Sequence, residues 1–323
     1  MLKSLQPHGT FICFVGLVIL FAVMLPGTFM TGRNLINISQ QMSMLAVTAF
    51  AMTVVMAIGD FDLSVGSMAS LAGIAAALTF KTTDSVALGL GLALLVGMAG
   101  GALNGFLVSY LGILPFVATL GTLTIFSGTA FLVSGGKTIF GGAIPARFSG
   151  IAKGGLPILW SGDQVLLLPN LTIIALLTLF IIWFIMEKMV FGRHVYAMGG
   201  NAEAARLAGI DVRKTRLLAF CITGLGSSVA GLMYAARVAS ANPTQGSGLM
   251  LDAIAAVFLG MTMGSHGQPR VLHTLVGVLL IGVLSNGLTQ LSVDSYVRDI
   301  LVGTIIIAAV ALGKIDKSQR NQA

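Results

Sequence analysis

Asp60 and Asp62 are the residues whose type and spacing most clearly indicate a functional role. These two carboxylates lie between two apolar runs, in the sequence GDFDLS at 59–64. Ionisable groups within a bilayer are costly, and they often mark an ion site or a substrate pathway. A helix can begin near Ser64 and Ser67, so Asp62 can also cap the amide groups of that helix. The sequence leaves three roles open for this pair: a structural cap and turn, a gate on a translocation path, or an ion site.

No residue pattern indicates catalysis or metal binding. The four histidines are scattered without an HExxH spacing, and the two cysteines lie far apart without a CxxC spacing. The stretch Gly136-Lys137-Thr138 looks like the end of a phosphate-binding loop, but Phe131 stands where that loop requires glycine. We therefore predict no catalytic residue, no metal site and no cofactor in this chain, and we do not expect an enzyme. Any ATP that drives it has to bind another chain.

The composition places these residues in a membrane protein. Of the 323 residues, 56% are hydrophobic and only 9% are charged, and the mean hydropathy is +0.96. An ordinary soluble domain carries roughly 25% charged residues. A soluble enzyme and a disordered chain are therefore both excluded. The net charge of +7 comes without a basic run interleaved with aromatic residues, so nucleic acid is not predicted as a partner.

Ten apolar stretches have about the length that crosses a bilayer as a helix. They are 11–30, 43–59, 64–80, 85–110, 115–136, 165–186, 216–236, 251–265, 270–291 and 295–313. We predict an all-α polytopic membrane protein with about ten transmembrane helices, some short or broken, that form a single domain over residues 1–323. Two places are ambiguous: 43–80 fits either two spans with a tight turn or one broken element, and 251–265 is short enough to be a second broken element or a re-entrant one.

The distribution of Lys and Arg predicts the orientation. With an even number of spans both termini lie on one side, and that side receives 11 of the 18 basic residues. The positive-inside rule then favours cytoplasmic termini, a cytoplasmic loop at 187–215 and a periplasmic loop at 137–164. Two packing features are also predicted: Gly97, Gly101 and Gly105 form a repeated GxxxG face for close helix contact, and Asp294 and Arg298 are spaced to form an ion pair.

The cytoplasmic loop contains a predicted short helix. Asn201 is a good N-cap, residues 202–207 are strong helix formers, and Gly209 is a natural stop. Glu203 and Arg206 are spaced i,i+3, and the apolar residues Leu207 and Ile210 form a tip. This helix suits insertion into a groove on a partner protein.

Three segments together carry a resemblance to a known family. They are the loop FGRHVYAMGGNAEAARLAGIDVRKTR at 191–216, GDFDLSVGS at 59–67 and LDAIAAVFLG at 251–260. They resemble the membrane permeases of bacterial ribose/arabinose/galactose-type sugar importers of the ATP-binding-cassette class, in the superfamily that also holds the branched-chain amino acid permeases. One departure is visible, because Gly260-Met261-Thr262 stands where many members have Gly-Gly-Thr.

The resemblance implies partners and roles. Two permease subunits form the pathway, a cytoplasmic ATPase binds ATP and Mg, and a periplasmic protein delivers a monosaccharide across the bacterial inner membrane. The helix at 201–209 is then the coupling helix seated in the ATPase. The residues assigned to this coupling are Gly200, Asn201, Glu203, Ala205, Arg206, Leu207, Gly209 and Ile210.

A sugar pathway needs weak polar lining rather than many charges. The residues predicted for the path or its gate are Asp60, Asp62, Ser64, Ser67, Asn104, Thr119, Thr122 and Asn286. An ion-coupled secondary transporter that uses Asp60 and Asp62 stays open as an alternative, as does a passive channel. The sequence decides neither the identity of the sugar nor whether the second permease subunit is identical or only related.

Overall fold

The computed structural model describes residues 9–161, 164–263, 267–294 and 296–304. The first half contains α1 Gly9–Met24, α2 Gly32–Ile58, α3 Val65–Thr83, α4 Val86–Ser109, α5 Pro115–Ser134, β1 Ile139–Phe140, α6 Ala146–Lys153, β2 Gly155–Ser161 and β3 Gln164–Pro169. The second half contains α7 Asn170–Lys188, α8 Val190–Gly200, α9 Ala202–Leu207, α10 Val212–Val238, β4 Ser240–Ala241, α11 Leu249–Met261 and α12 Val271–Gln290. Residues 296–304 are also helical.

The predicted fold class is confirmed. Among the described residues, seven helices are long and apolar enough to cross a membrane, namely α2, α3, α4, α5, α7, α10 and α12. Helices α1 and α11 are shorter but also apolar. The last predicted span, 295–313, is helical over 296–304, and its remainder lies outside the described residues.

Several predicted boundaries were wrong because local polar contacts extend or end an element. Helix α2 begins at Gly32 rather than at 43, since the Thr31 side chain accepts a hydrogen bond from the Asn34 amide and starts the helix in a polar stretch. The stretch from 165 to 169 belongs to β3, which pairs antiparallel with β2, so α7 begins only at Asn170. The predicted loop at 137–164 thus contains α6 and half of a hairpin, and the loop at 187–215 contains α8.

Helix α10 lies at the centre of the bundle and packs against α2, α3 and α4. It runs antiparallel to α2, as three contacts show: Arg216 with Asp60, Thr223 with Ala51, and Gly226 with Val47. It also runs antiparallel to α4, which in turn runs antiparallel to α3. Helices α2 and α3 are therefore antiparallel to each other, so residues 59–64 reverse the chain between two spans rather than interrupt one broken element.

The predicted GxxxG face of α4 is an internal contact with α10. A Cβ atom on Gly105 would lie 2.8 Å from the Cα of Leu217, and one on Gly101 would lie 2.9 Å from the Cα of Cys221. A Cβ on Gly97 would overlap the Ser228 side chain. These three glycines let two backbones approach more closely than side chains would allow, which is the contact that holds helices together in lipid.

Helix α11 is a half-length element. Its 13 residues span about 20 Å, less than the roughly 30 Å of a hydrocarbon core. The segment before it packs against α3, where Gly246 lies so close to Gly66 that neither residue has room for a side chain. The chain therefore passes into the bundle before α11 begins. Helix α11 then runs antiparallel to α12, with Gly260 against Thr274 and Ala256 against Gly277, and ends beside the beginning of α12. The segment thus completes a crossing as a broken element and is not re-entrant.

Candidate functional site: a buried polar turn and an exposed loop

A hydrogen-bonded network fills the turn between α2 and α3. The Asp62 carboxylate accepts from the amide of Ser64 at 2.9 Å and from its hydroxyl at 2.6 Å. On α4, the side-chain amide nitrogen of Asn104 donates to the Ser64 hydroxyl at 2.8 Å. On α5, the Thr122 hydroxyl donates to the side-chain oxygen of Asn104 at 2.6 Å. All four residues are at most 2% exposed. The structure thus brings together four residues that the sequence predicts for the path, on three different elements.

Two more predicted path residues border this network. Thr119 is fully buried, and its hydroxyl donates to the carbonyl of Phe61 at 3.4 Å and to that of Pro115 at 2.8 Å. Ser67 is half-buried, and its hydroxyl donates to the Ser64 carbonyl at 2.9 Å. Each hydroxyl and side-chain amide named here has a partner within the protein, so the network joins α3, α4 and α5 beside the turn.

The predicted capping role of Asp62 needs a correction. Asp62 bonds the amide of Ser64, which is itself the residue that precedes α3, so its carboxylate stabilises the turn and not the first turn of the helix. Burial raises the pKa of Asp62 above its ordinary value, and the hydrogen bonds from Ser64 and Asn104 oppose that rise.

Asp60 forms an ion pair that the sequence analysis missed. Its Oδ2 lies 2.7 Å from the Nε of Arg216, at the beginning of α10, and Asp60 is only 6% exposed. Burial raises the pKa of Asp60, and the positive charge of Arg216 lowers it again. A buried carboxylate requires a cation or hydrogen-bond donors nearby, so the presence of a partner was predictable. Its identity was not, because 155 positions separate the two residues in the sequence.

On the same end of the bundle, α9 and its flanks form a projecting loop at 201–211, here called the α9 loop. The Asn201 side chain accepts from the amides of Glu203 and Ala204, each at 3.0 Å, which confirms the predicted N-cap. Gly209 has a φ of +87°, a conformation that favours glycine and ends the helix. The α9 loop is therefore fixed at both of its ends by local hydrogen bonds and backbone geometry.

The surface of the α9 loop is part apolar and part charged. Leu207 is 76% exposed, and an exposed ion pair joins the Nε of Arg206 to Glu203 at 3.0 Å. That hydrogen bond lowers the pKa of Glu203. The prediction that Leu207 and Ile210 both form an apolar tip was wrong for Ile210, which packs half-buried against the core. Ala205 is also buried, so these two residues seat the loop and Leu207 projects from it.

The α9 loop is seated on the bundle by α8 as well. Gly199 packs against the backbone of Ala57 at the end of α2, so closely that a Cβ atom would overlap the Ala57 carbonyl oxygen. Gly200, by contrast, has open space around it. The α9 loop, the end of α2 and the beginning of α10 consequently form one packed unit.

Asn286 lies apart from the other predicted path residues. Its side-chain amide exchanges two hydrogen bonds of 3.1 Å with Asn34, and it accepts a third from Gln290 at 2.9 Å. Asn34 stands 24 residues before the end of α2 at Ile58, a distance of about 36 Å along the helix. The structure thus places Asn286 at the end of the bundle opposite to the α9 loop.

The predicted ion pair between Asp294 and Arg298 was also wrong. Arg298 instead donates to Asp252 in the first turn of α11, with a distance of 2.7 Å between Nη2 and Oδ2. Asp294 is exposed and remains close to Arg298 only through a backbone hydrogen bond. Arg298 pairs with Asp252 on another helix rather than with Asp294 at the local i,i+4 spacing, because Asp252 is more buried than Asp294.

Comparison with known proteins decides the family. The model of the family described as branched-chain amino acid transport system / permease component matches residues 34–310. This chain belongs to that permease family. The ribose import permease of Bacillus subtilis is 35% identical over 96% of this chain and 93% of its own length. The D-allose transport system permease of Escherichia coli is 33% identical over 95% and 91%, and the L-arabinose transport system permease of the same organism is 32% identical over 94% and 89%.

Membership in this permease family agrees with the fold and with the resemblance found in the sequence. The chain is a multi-pass membrane protein and a transport component rather than an enzyme. No solved structure matches it significantly.

Proposed function

We propose that this permease is the membrane-spanning subunit of an ATP-binding-cassette importer for a pentose or hexose. The relatives named for ribose, D-allose and L-arabinose support the sugar class, because they align with this permease over most of both chains. The ATPase is a separate chain that binds ATP and Mg. Both termini and the α9 loop face the cytoplasm of a bacterial cell.

The projecting Leu207 on the α9 loop is the observation that carries this proposal. A fully buried Leu side chain is worth about 1.5–3 kcal/mol relative to an exposed one, so a soluble partner that covers Leu207 gains a substantial anchor. The exposed pair of Glu203 and Arg206 beside it gives directional contacts. A capped helix loses little conformational entropy when it docks, and the α9 loop therefore suits a groove on the ATPase.

Movement of the docked loop reaches the membrane through two contacts. Gly199 fixes α8 to the end of α2, and the Asp60–Arg216 ion pair fixes the α2–α3 turn to the beginning of α10. When the ATPases close, a shift of the α9 loop moves the ends of these helices together. The pathway then alternates between two access states, a population shift driven by ATP binding elsewhere.

The network around Asp62 takes the role of a gate in this proposal. Asp62, Ser64, Asn104, Thr119 and Thr122 are buried and mutually bonded, so the path is closed at this level and opens when α3, α4 and α5 separate. The network exchanges its internal hydrogen bonds for bonds to sugar hydroxyls or water during the opening.

The remaining partners follow from the arrangement of the two ends. A periplasmic sugar-binding protein faces the end that carries the 137–164 segment, with α6 and β2. A second permease subunit, identical or related, completes the pathway, and lipid covers the exposed apolar surfaces of α4, α5 and α7 that remain.

The test is a comparison of two leucines exposed at the same end of the bundle. Leu207→Glu is expected to abolish copurification of the ATPase and sugar uptake, with an unchanged amount of permease in the membrane. The control Leu111→Glu changes a leucine that is 59% exposed at the end of α4, and it should retain both. Normal uptake by the Leu207→Glu importer would overturn the coupling assignment.

The same preparation distinguishes an ion-coupled carrier. Both carboxylates at the turn already have partners. Asp60 pairs with Arg216, and Asp62 accepts hydrogen bonds from Ser64 and Asn104. This arrangement argues against a vacant ion site. Uptake that is lost with a protonophore under constant ATP, and that needs no ATPase, would replace the importer proposal with the carrier.

A further inference from the structure

A polar cavity of about 300 Å³ lies among α2, α10, α11, α12 and the helix at 296–304. Its polar lining comes from five different elements and is formed mainly by Gln41, Tyr234, Arg237, Asp252, Ser285 and Arg298. None of these residues belongs to the turn network or to the α9 loop. Gln41 and the neighbouring lining residue Thr289 are exposed, so the cavity is open to the outside of the molecule.

The cavity is far from the end that carries the α9 loop. Tyr234 follows Arg216 by 18 residues of α10, a rise of about 27 Å. Met42, another lining residue, precedes Ile58 by 16 residues of α2, about 24 Å. The cavity therefore occupies the half of the bundle that faces the periplasm in the proposed orientation, where an incoming sugar would arrive.

The half-length helix α11 begins at this cavity. Leu249, its first residue, lines the cavity, and Asp252 in its first turn reaches Arg298. Short helices that start inside the membrane place their polar ends where a substrate can use them. An ion pair inside an apolar bundle is costly, and an α11 that merely packed would need none of these charges.

The chemistry of the lining favours a small polyol. Arg298 neutralises the Asp252 carboxylate and Arg237 adds a second guanidinium, so a free cation is not attracted, yet the second oxygen of Asp252 can still accept a hydroxyl group. The Nε of Arg298 is buried and has no hydrogen-bond partner among the described residues. A carboxylate acceptor beside a guanidinium donor matches two adjacent hydroxyl groups, and the amide, phenol and hydroxyl groups of Gln41, Tyr234 and Ser285 offer further bonds.

The volume limits the size of the ligand. About 300 Å³ is at the lower end of small-molecule sites, which range from about 300 to 1,000 Å³. We propose that this cavity binds a single monosaccharide ring within one permease subunit, with Asp252 and Arg298 as its main hydrogen-bonding pair. This inference rests on the proposed function, which supplies the sugar, and adds a place where this permease itself holds it.

The test measures protection of a thiol in the cavity. Ser285→Cys is introduced after Cys13→Ser and Cys221→Ser have removed the natural thiols, and a water-soluble maleimide is applied to the importer purified with its ATPase. D-ribose, L-arabinose and D-allose are each added at tens of millimolar, and sucrose serves as a sugar too large for the cavity. The control thiol Phe140→Cys lies at the same end, on a residue that is 70% exposed.

At least one of the monosaccharides is expected to slow the labelling of Ser285→Cys at least about threefold, as occupancy at twice the dissociation constant requires. Sucrose should have no effect, and the Phe140→Cys rate should stay constant in every sugar. Equal labelling of Ser285→Cys in all sugars would overturn the inference, and so would a Ser285→Cys thiol that the reagent does not reach.

Asp252→Asn distinguishes a role of this carboxylate in sugar binding from a role in folding. The variant should accumulate normally and lose the protection, whereas Asp299→Asn, at an exposed carboxylate on the same helix as Arg298, should keep it. Retained protection in Asp252→Asn would show that this carboxylate holds no sugar. ATP-dependent uptake with the binding protein is measured in parallel. Uptake without protection contradicts the cavity alone, and absence of any sugar uptake in the unmodified importer contradicts the proposed function.

Discussion

The two ends of the bundle each contain an ion pair, and the surroundings of the two pairs differ. Near the α9 loop, the side chains of Asp60 and Arg216 are 8% and 25% exposed, and the pair lies beside the hydrogen-bonded network. At the other end, the side chains of Asp252 and Arg298 are 19% and 31% exposed and line a cavity of about 300 Å³. The first pair fixes helix ends relative to each other, while the second leaves donors and acceptors available to a ligand. The adjoining cavity, rather than charge itself, is the main difference between the two pairs.

The largest expected effect on stability comes from the close contact between α4 and α10. Gly101→Val should sharply lower the amount of folded permease, because the new side chain overlaps the backbone of Phe220 and Cys221, which cannot move aside as a flexible side chain can. The cost should therefore exceed the roughly 1–3 kcal/mol that is typical of overpacking. Gly91→Val is the matched control, since Gly91 lies on the same helix and has nothing within 4 Å. Membrane yield and thermal unfolding in detergent measure both variants, and equal stability of the two would contradict the packing of α4 on α10.

Removal of Arg216 tests whether the closed end depends on its ion pair. Arg216→Met leaves Asp60 buried without a cation, and loss of one partner of a buried pair can cost about 3–5 kcal/mol, less here because Arg216 is partly exposed. The double variant Asp60→Asn with Arg216→Met removes both charges and should recover most of the thermal stability. If the double variant is no more stable than Arg216→Met, the pair does not carry the stability of this end.

The smallest of these effects is expected within the turn network. Thr122→Val removes the hydrogen bond to Asn104 and leaves a buried amide oxygen short of a donor, at a cost of about 1–3 kcal/mol. Thr124→Val is the control, because Thr124 lies on the same helix and is exposed. A shift of the unfolding temperature in Thr122→Val alone is the expected result. A shift of equal size in both variants would mean that the network adds nothing beyond the helix itself.

The features that local chemistry governs were predictable from the sequence. The N-cap at Asn201, the stop at Gly209 and the apolar character of the spans depend on neighbouring residues. The structure agrees with the cap, the stop and seven long apolar helices among the described residues. The errors concern residues that can contact more than one partner. Arg298 pairs with Asp252 instead of Asp294, and Asp62 bonds an amide of the turn instead of the first turn of the helix. Ile210 packs against the core instead of projecting from the loop. The beginning of α2 was missed because its first turns are polar, so hydropathy alone did not include them.

The sequence by itself determined that this protein lies in a membrane and that its resemblance points to a permease. Composition and hydropathy add up along the chain, and short motifs are read locally, so neither needs the fold. Only the tertiary structure decided that Asp62, Ser64, Asn104 and Thr122 form one closed network, and that Asp252 and Arg298 share an open cavity. Such contacts join residues on different elements that are 18 to 46 positions apart in the sequence. Their energy depends on burial and on hydrogen-bonding geometry, which exist only after the helices pack.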